Sequence, residues 1–201
     1  MLISIASTGL RSAIGFISGL LVARGLSPSG YGDLAFLIGS FAAVRSLLDM
    51  GSSSAFYTFI SQRARVRGFY LLYAGWLTAQ FLITLLLVML ILPVEKIWLG
   101  HDRAVVLLAF MASFMQQQVW QTITQIGEAT RKTVRIHVLN TAVAVTHLIL
   151  VSVLLLYSLM SVQAVLVLMV GEYIAVTILS TWFLKDKQPE RPGAKDGLRA
   201  W

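Results

Sequence analysis

Between Leu71 and Leu92 the chain reads LLYAGWLTAQFLITLLLVMLIL, without one charged side chain. Wound into a helix at about 1.5 Å per residue, such a stretch crosses roughly 30 Å, the thickness of the hydrocarbon core of a bilayer. Runs of similar character lie on either side of it. The 201-residue chain is 57% hydrophobic and only 12% charged, whereas ordinary soluble domains are about half apolar and about a quarter charged. A water-soluble fold could not hide that excess, so the expected fold class is all-α, a polytopic membrane bundle of about six transmembrane helices.

Breaks between the runs place the six. The first is expected from about Leu2 to Val22, closed by Arg24-Gly25 and a turn with Pro28, Gly30 and Gly32 that predicts a tight hairpin with the second. The second, about Leu34 to Ile60, is interrupted by Arg45, Asp49, Gly51 and three serines, which predicts a kink near Gly51. The third runs from about Phe69 to Leu92 and ends at Pro93. The fourth covers about Ala104 to Ile126, and the fifth and sixth, about Ile136 to Tyr157 and Val162 to Leu184, are close enough in sequence to be antiparallel neighbours. Residues 1–184 thus form the bundle, and 185–201, polar with Pro189, Pro192 and Gly193, read as a disordered cytoplasmic tail. No basic residue precedes the first apolar stretch and Arg11 lies in its middle, so it reads as a retained helix and not a cleaved signal.

A net charge of +7 and a pI near 10.1 raise the question of nucleic acid. The basic residues lie mostly in short stretches between apolar runs and accompany no nucleic-acid motif, so a membrane lipid and not a nucleic acid is the expected partner. Eleven Lys and Arg fall in the second and fourth connections and the tail, three on the other side (Arg24, Lys96, Arg103) and two within spans. Positive-inside bias then predicts both termini in the cytoplasm. With no cysteine there are no disulfides or thiolate metal sites. No His or acidic cluster has metal-ligand spacing, no phosphate-binding glycine loop occurs, and neither a metal nor a cofactor is expected.

Arg11 and Arg45 are the residues that most need a purpose, because an arginine at the bilayer centre costs about 2.5 to 3.5 kcal/mol on insertion scales. Brought together by a tight hairpin, they would form a cationic patch suited to phosphate. Pairing with Asp49, one turn after Arg45, and Glu172 in the sixth span is the alternative, and it would leave no free charge. Gln117, Gln121 and Gln125 recur every four residues, placing three amides on one face of the fourth span. They would either line a cavity and meet sugar hydroxyls or hold helices together. Asp49, Glu172 and His147 are candidates for ion coupling. Ser52, Ser53 and Ser54 bear no spacing to His137 or His147 that marks a serine hydrolase, and the chain is not expected to be an enzyme.

Two stretches carry a family likeness. LVARGLSPSGYGDLAFL, with an Ala-Arg, a Leu, a Pro and a Tyr-Gly in order, resembles the polysaccharide-biosynthesis and O-antigen flippases of the multidrug/oligosaccharidyl-lipid/polysaccharide exporter superfamily. LLDMGSSSAFYTFISQRAR resembles the next part of those proteins: an acid and Gly late in helix two, small residues, then a basic turn. The likeness extends loosely over about residues 9 to 185. It implies a transporter moving an isoprenoid-pyrophosphate-linked glycan across the inner membrane, with Arg11 and Arg45 in spans where cavity arginines occur, and Arg24, Pro28, Tyr31 and Gly32 as structural positions. Family members have about twelve to fourteen helices in two lobes, and this chain matches one. A homodimer or a separately encoded second lobe would complete the transporter. A cation-coupled drug antiporter of the same superfamily, or a noncatalytic scaffold or fragment, are the alternatives.

Overall fold

The computed structural model of the chain describes residues 2–63, 65–98 and 100–184; the expected tail lies outside them. Among the described residues there is no strand, and nine helices occur in order: α1 (Leu2–Gly25), α2 (Pro28–Asp49), α3 (Ser52–Gln62), α4 (Arg67–Leu86), α5 (Val94–Ile97), α6 (Arg103–Phe114), α7 (Gln121–Ala129), α8 (Thr133–Leu156) and α9 (Val162–Phe183). Two π turns interrupt the regular winding. Leu87–Ile91 prolongs α4, and Met115–Trp120 joins α6 to α7 without a break.

Local chemistry explains the boundaries. Ser27 is extended (φ −62°, ψ 160°) and accepts a hydrogen bond from Gly30 N at 3.1 Å, while Pro28 opens α2 where no intrahelical N–H is required. Ser161 caps α9 in the same way through Ala164 N. The expected break of the second span falls at Met50 and Gly51, both left-handed (φ 43° and 82°). Asp49 then receives Ser53 N on Oδ1 at 3.0 Å, so a side chain of α2 caps α3.

Among the described residues, four helical stretches are long and apolar enough to cross a membrane: Pro28–Asp49, Arg67–Ile91, Thr133–Leu156 and Val162–Phe183. Their outer faces expose large apolar side chains, among them Leu47, Leu72, Leu90, Ile149, Ile178 and Trp182. Hydrocarbon is the solvent that suits such a surface, and the protein is membrane-embedded. The other two expected spans correspond to α1 and to the α6–α7 unit. Five glutamines dilute the second.

The packing differs from the expected hairpin. The turn at Ser27 is present, but α1 lies along α8 and barely touches α2. Helix α2 packs on α6, α6 on α9, α9 on α8, and α3 on α7. Phe41 of α2 stacks on Trp98 with ring centres 5.7 Å apart and meets Phe110 of α6 at 5.5 Å, sealing the central core with Leu37, Val106 and Leu166. Where α7 turns into α8, a Cβ on Gly127 would lie 2.3 Å from Ile136 Cγ1, so only glycine permits that approach. Phe56, Ile60, Phe69 and Tyr73 pack with Ile126 and Ala129, which brings Arg63, Arg67 and the basic turn at 131–135 to one end of the bundle. Lys132 and Arg135 there donate to the last carbonyls of α9, those of Leu184 and Phe183, as cations at a helix C-terminus do.

Candidate functional site

Helix periodicity assembles one polar cavity from four elements. Arg11 and Gly15 are one turn apart on α1, Gln116 and Trp120 sit on the π turn, Asn140, Val143, Ala144 and His147 lie along one face of α8, and Met169, Glu172 and Tyr173 along one face of α9. They enclose about 400 Å³, open on one side. Three hydrogen bonds between helices fix the walls: Gln116 Nε2 donates to Tyr173 OH at 3.0 Å, Trp120 Nε1 to Asn140 Oδ1 at 2.9 Å, and His147 Nδ1 pairs with Glu172 Oε2 at 2.8 Å. Each joins a different pair of elements, so the polar lining is held in place by its own walls.

Two functional groups stay outside this pairing. The Glu172 side chain is 6% exposed, and its Oε1 is buried without a hydrogen-bond partner. Arg11 makes no hydrogen bond or ion pair among the described residues. An arginine so placed, beside a cavity and without a partner, keeps all five donors for something that enters.

No family profile, curated protein or solved structure matches this chain. The chemistry open to the cavity rests on its geometry.

Arg45 lies elsewhere. Its Nη2 donates to Gln121 Oε1 at 3.0 Å and its Nε is buried without a partner. The surrounding pocket, between Phe41, Phe110, Phe114, Gln80, Thr84 and Gln118, has about 20 Å³ of free space, room for about one water. Beside it Gln118 Nε2 donates to Gln80 Oε1, and Gln80 Nε2 to the Leu48 carbonyl, each at 3.0 Å. That carbonyl is one left unpaired where α2 stops. Arg11 and Arg45 therefore line different cavities, and the shared cationic patch expected of a hairpin is not formed, because α1 packs on α8.

The remaining expected residues are dispersed. Asp49 accepts from Ser52 Oγ at 2.7 Å and from the backbone and hydroxyl of Ser53, so it is occupied with the break between α2 and α3. Ser52 also accepts from Trp76 Nε1 at 3.1 Å. The amides of the fourth span are divided among three neighbours, Gln116 toward α9, Gln118 toward α4 and Gln121 toward α2. Gln125 Oε1 is buried and unpartnered, and Gln117 is half-buried. A π turn has more residues per turn than an α-helix, so it offsets 117 from 121 and 125 and dissolves the single face. Sequence reasoning overlooked Asn140 and Tyr173 as lining residues. The spacing Asn140, Ala144, His147 on a helix antiparallel to one carrying Glu172-Tyr173 is the signal that could have found them.

Proposed function

We propose that this chain is one lobe of a flippase that carries an isoprenoid-pyrophosphate-linked glycan across the inner membrane, for assembly of a cell-surface polysaccharide. The observation that carries the reading is the Arg11 guanidinium, unpaired at the side of a polar cavity whose other groups are mostly paired. An oxyanion headgroup would take its donors in the bidentate manner guanidinium favours. Gln116 and Asn140, in the same lining, offer sugar hydroxyls hydrogen-bonding partners. Binding and release, not bond breaking, is the chemistry of such a site.

Residues 21–37 and 47–65 support the same reading through their likeness to the flippases. In this reading α1 and the α6–α7 unit span the bilayer as well, giving six spans and both termini on the cytoplasmic side. The clustering of Arg63, Arg67 and the 131–135 turn at one end, with the exit of α9 beside them, agrees with that orientation. A second copy, or a separately encoded lobe, would face the open side of the cavity, and rocking of the two would expose it to each leaflet in turn.

Transport of a fluorescent prenyl-diphosphate glycan into proteoliposomes tests the proposal. Arg11→Ala should abolish it, while Arg45→Met, made at equal protein level, should reduce it only partly. Transport unaffected by Arg11→Ala would overturn the reading. One observation favours a second reading, a cation-coupled antiporter: the buried Glu172 Oε1 has no partner. That reading predicts the reverse pattern, loss in Glu172→Gln and tolerance of Arg11→Ala.

A further inference from the structure

We propose that the cavity binds an oxyanion and a proton together, Arg11 taking the anion and the His147–Glu172 pair taking the proton; the anion half rests on the proposed flippase function. Glu172 is buried on α9, tied through Oε2 to His147 Nδ1 and bare at Oε1, and Arg11 stands in the same lining. The Tyr173 phenol lies within electrostatic reach of both the guanidinium and the carboxylate. All three therefore share one field.

The count of charges is short, which is why it constrains the outcome. From α1 the cavity receives Arg11, from α8 His147, from α9 Glu172 and Tyr173, and from the π turn only the uncharged Gln116 and Trp120. The other elements packed on this region send their charges elsewhere. On α2, Asp33 pairs with His101, Arg45 with Gln121 and Asp49 with Ser52 and Ser53; Arg103 of α6 donates to the Met89 carbonyl. Arg24 ends α1, more than three turns beyond Arg11, and Glu128, Arg135 and His137 belong to the α7–α8 end.

With a neutral imidazole and an ionised carboxylate, the pair carries one negative charge and Arg11 one positive charge, so the empty cavity is neutral. An oxyanion arriving at Arg11 adds negative charge close to Glu172 in surroundings of low polarity. One proton taken from water on to the pair, where Glu172 Oε1 and the imidazole are the available sites, restores the balance. Reciprocally, the unprotonated carboxylate competes with the anion for Arg11. Linkage then requires that anion affinity fall as pH rises through the titration of the pair, because the anion-bound form holds one more proton than the empty form.

Sulfate is the suitable probe, since its charge is constant between about pH 5 and pH 8, the range in which an unperturbed histidine changes charge. Binding to the purified full chain is monitored by calorimetry, with proton uptake measured in parallel in weak buffer. The expected result is an affinity falling by up to about tenfold per pH unit, one proton taken up per sulfate bound, a flat profile in Glu172→Gln, and no binding in Arg11→Ala. A prenyl sulfonate in nanodiscs, titrated beside free sulfate, tells a lipid-borne headgroup from a free oxyanion, and the same slope is expected with whichever binds. Binding lost in Arg11→Ala but independent of pH in the unaltered chain overturns the proton half alone. Absence of binding by either anion at any pH overturns this proposal and the anion-carrying function together. Proton uptake by the unaltered chain decides the matter even where a variant fails to fold.

Discussion

Glu172 is bonded to His147 through one carboxylate oxygen, Oε2 to Nδ1 at 2.8 Å, and keeps the other buried and bare inside the bundle. The pair joins α9 to α8, the helix against which α1 lies, so one contact supports both the cavity wall and the helix packing behind it.

Removal of the imidazole should therefore cost more than removal of the charge. His147→Ala leaves a buried carboxylate with no partner and is expected to lower stability by roughly 1 to 3 kcal/mol. Glu172→Gln keeps a hydrogen-bonding group opposite His147 and should cost less. Thermal unfolding in detergent, with the double variant included, measures the coupling; equal losses in the two single variants would refute the ordering.

Gly127 is the position where a methyl group should be felt most. Its Cβ would strike Ile136, which is fully buried, so Gly127→Ala is expected to cost about 1 to 3 kcal/mol. Combination with Ile136→Ala should recover part of the loss relative to additivity, because the obstructing atoms are gone. Strictly additive effects in melting experiments would show that the two helices do not meet there.

How much of the structure was legible beforehand depends on the residue in question. The break at Gly51 was, because a glycine beside an acid and three serines offers both a left-handed residue and a cap. The turn at Ser27-Pro28 was legible for the same kind of reason. The partner of α1 was not: a helix destined for hydrocarbon is apolar around most of its circumference, so no stripe marks the face that packs. The separation of Arg11 and Arg45 is the direct result. The division of the glutamines was equally hidden, since nothing in MQQQVW announces a π turn, and counting at four residues per step carried the reading past it. Glu172 and His147 could be recognised singly, but the pairing came only with the fold.

Asp49 supplies a test of a different kind. Its carboxylate caps α3, so Asp49→Ala should lower stability by about 1 kcal/mol. The proposed transport, per folded molecule, should survive the change. Loss of transport in a variant that melts normally would instead return Asp49 to the coupling role that its position in the sequence suggested.

The bond between Arg45 and Gln121 ties α2 to α7 and borders a space the size of a water. Gln121→Leu leaves the Arg45 guanidinium without its acceptor and is expected to cost about 1 to 3 kcal/mol. It should leave sulfate affinity within about twofold of the unaltered chain. A larger fall in affinity would join the two cavities into one functional unit.

The π turn at Met115–Trp120 has a consequence for the whole α6–α7 unit. Winding the same residues as a regular α-helix would swing everything beyond by about 100°. The amide that now greets Arg45 would look away, and the indole that now grips Asn140 would lose its hold. One surplus residue is what lets a single rod serve clients on opposite flanks at the same moment.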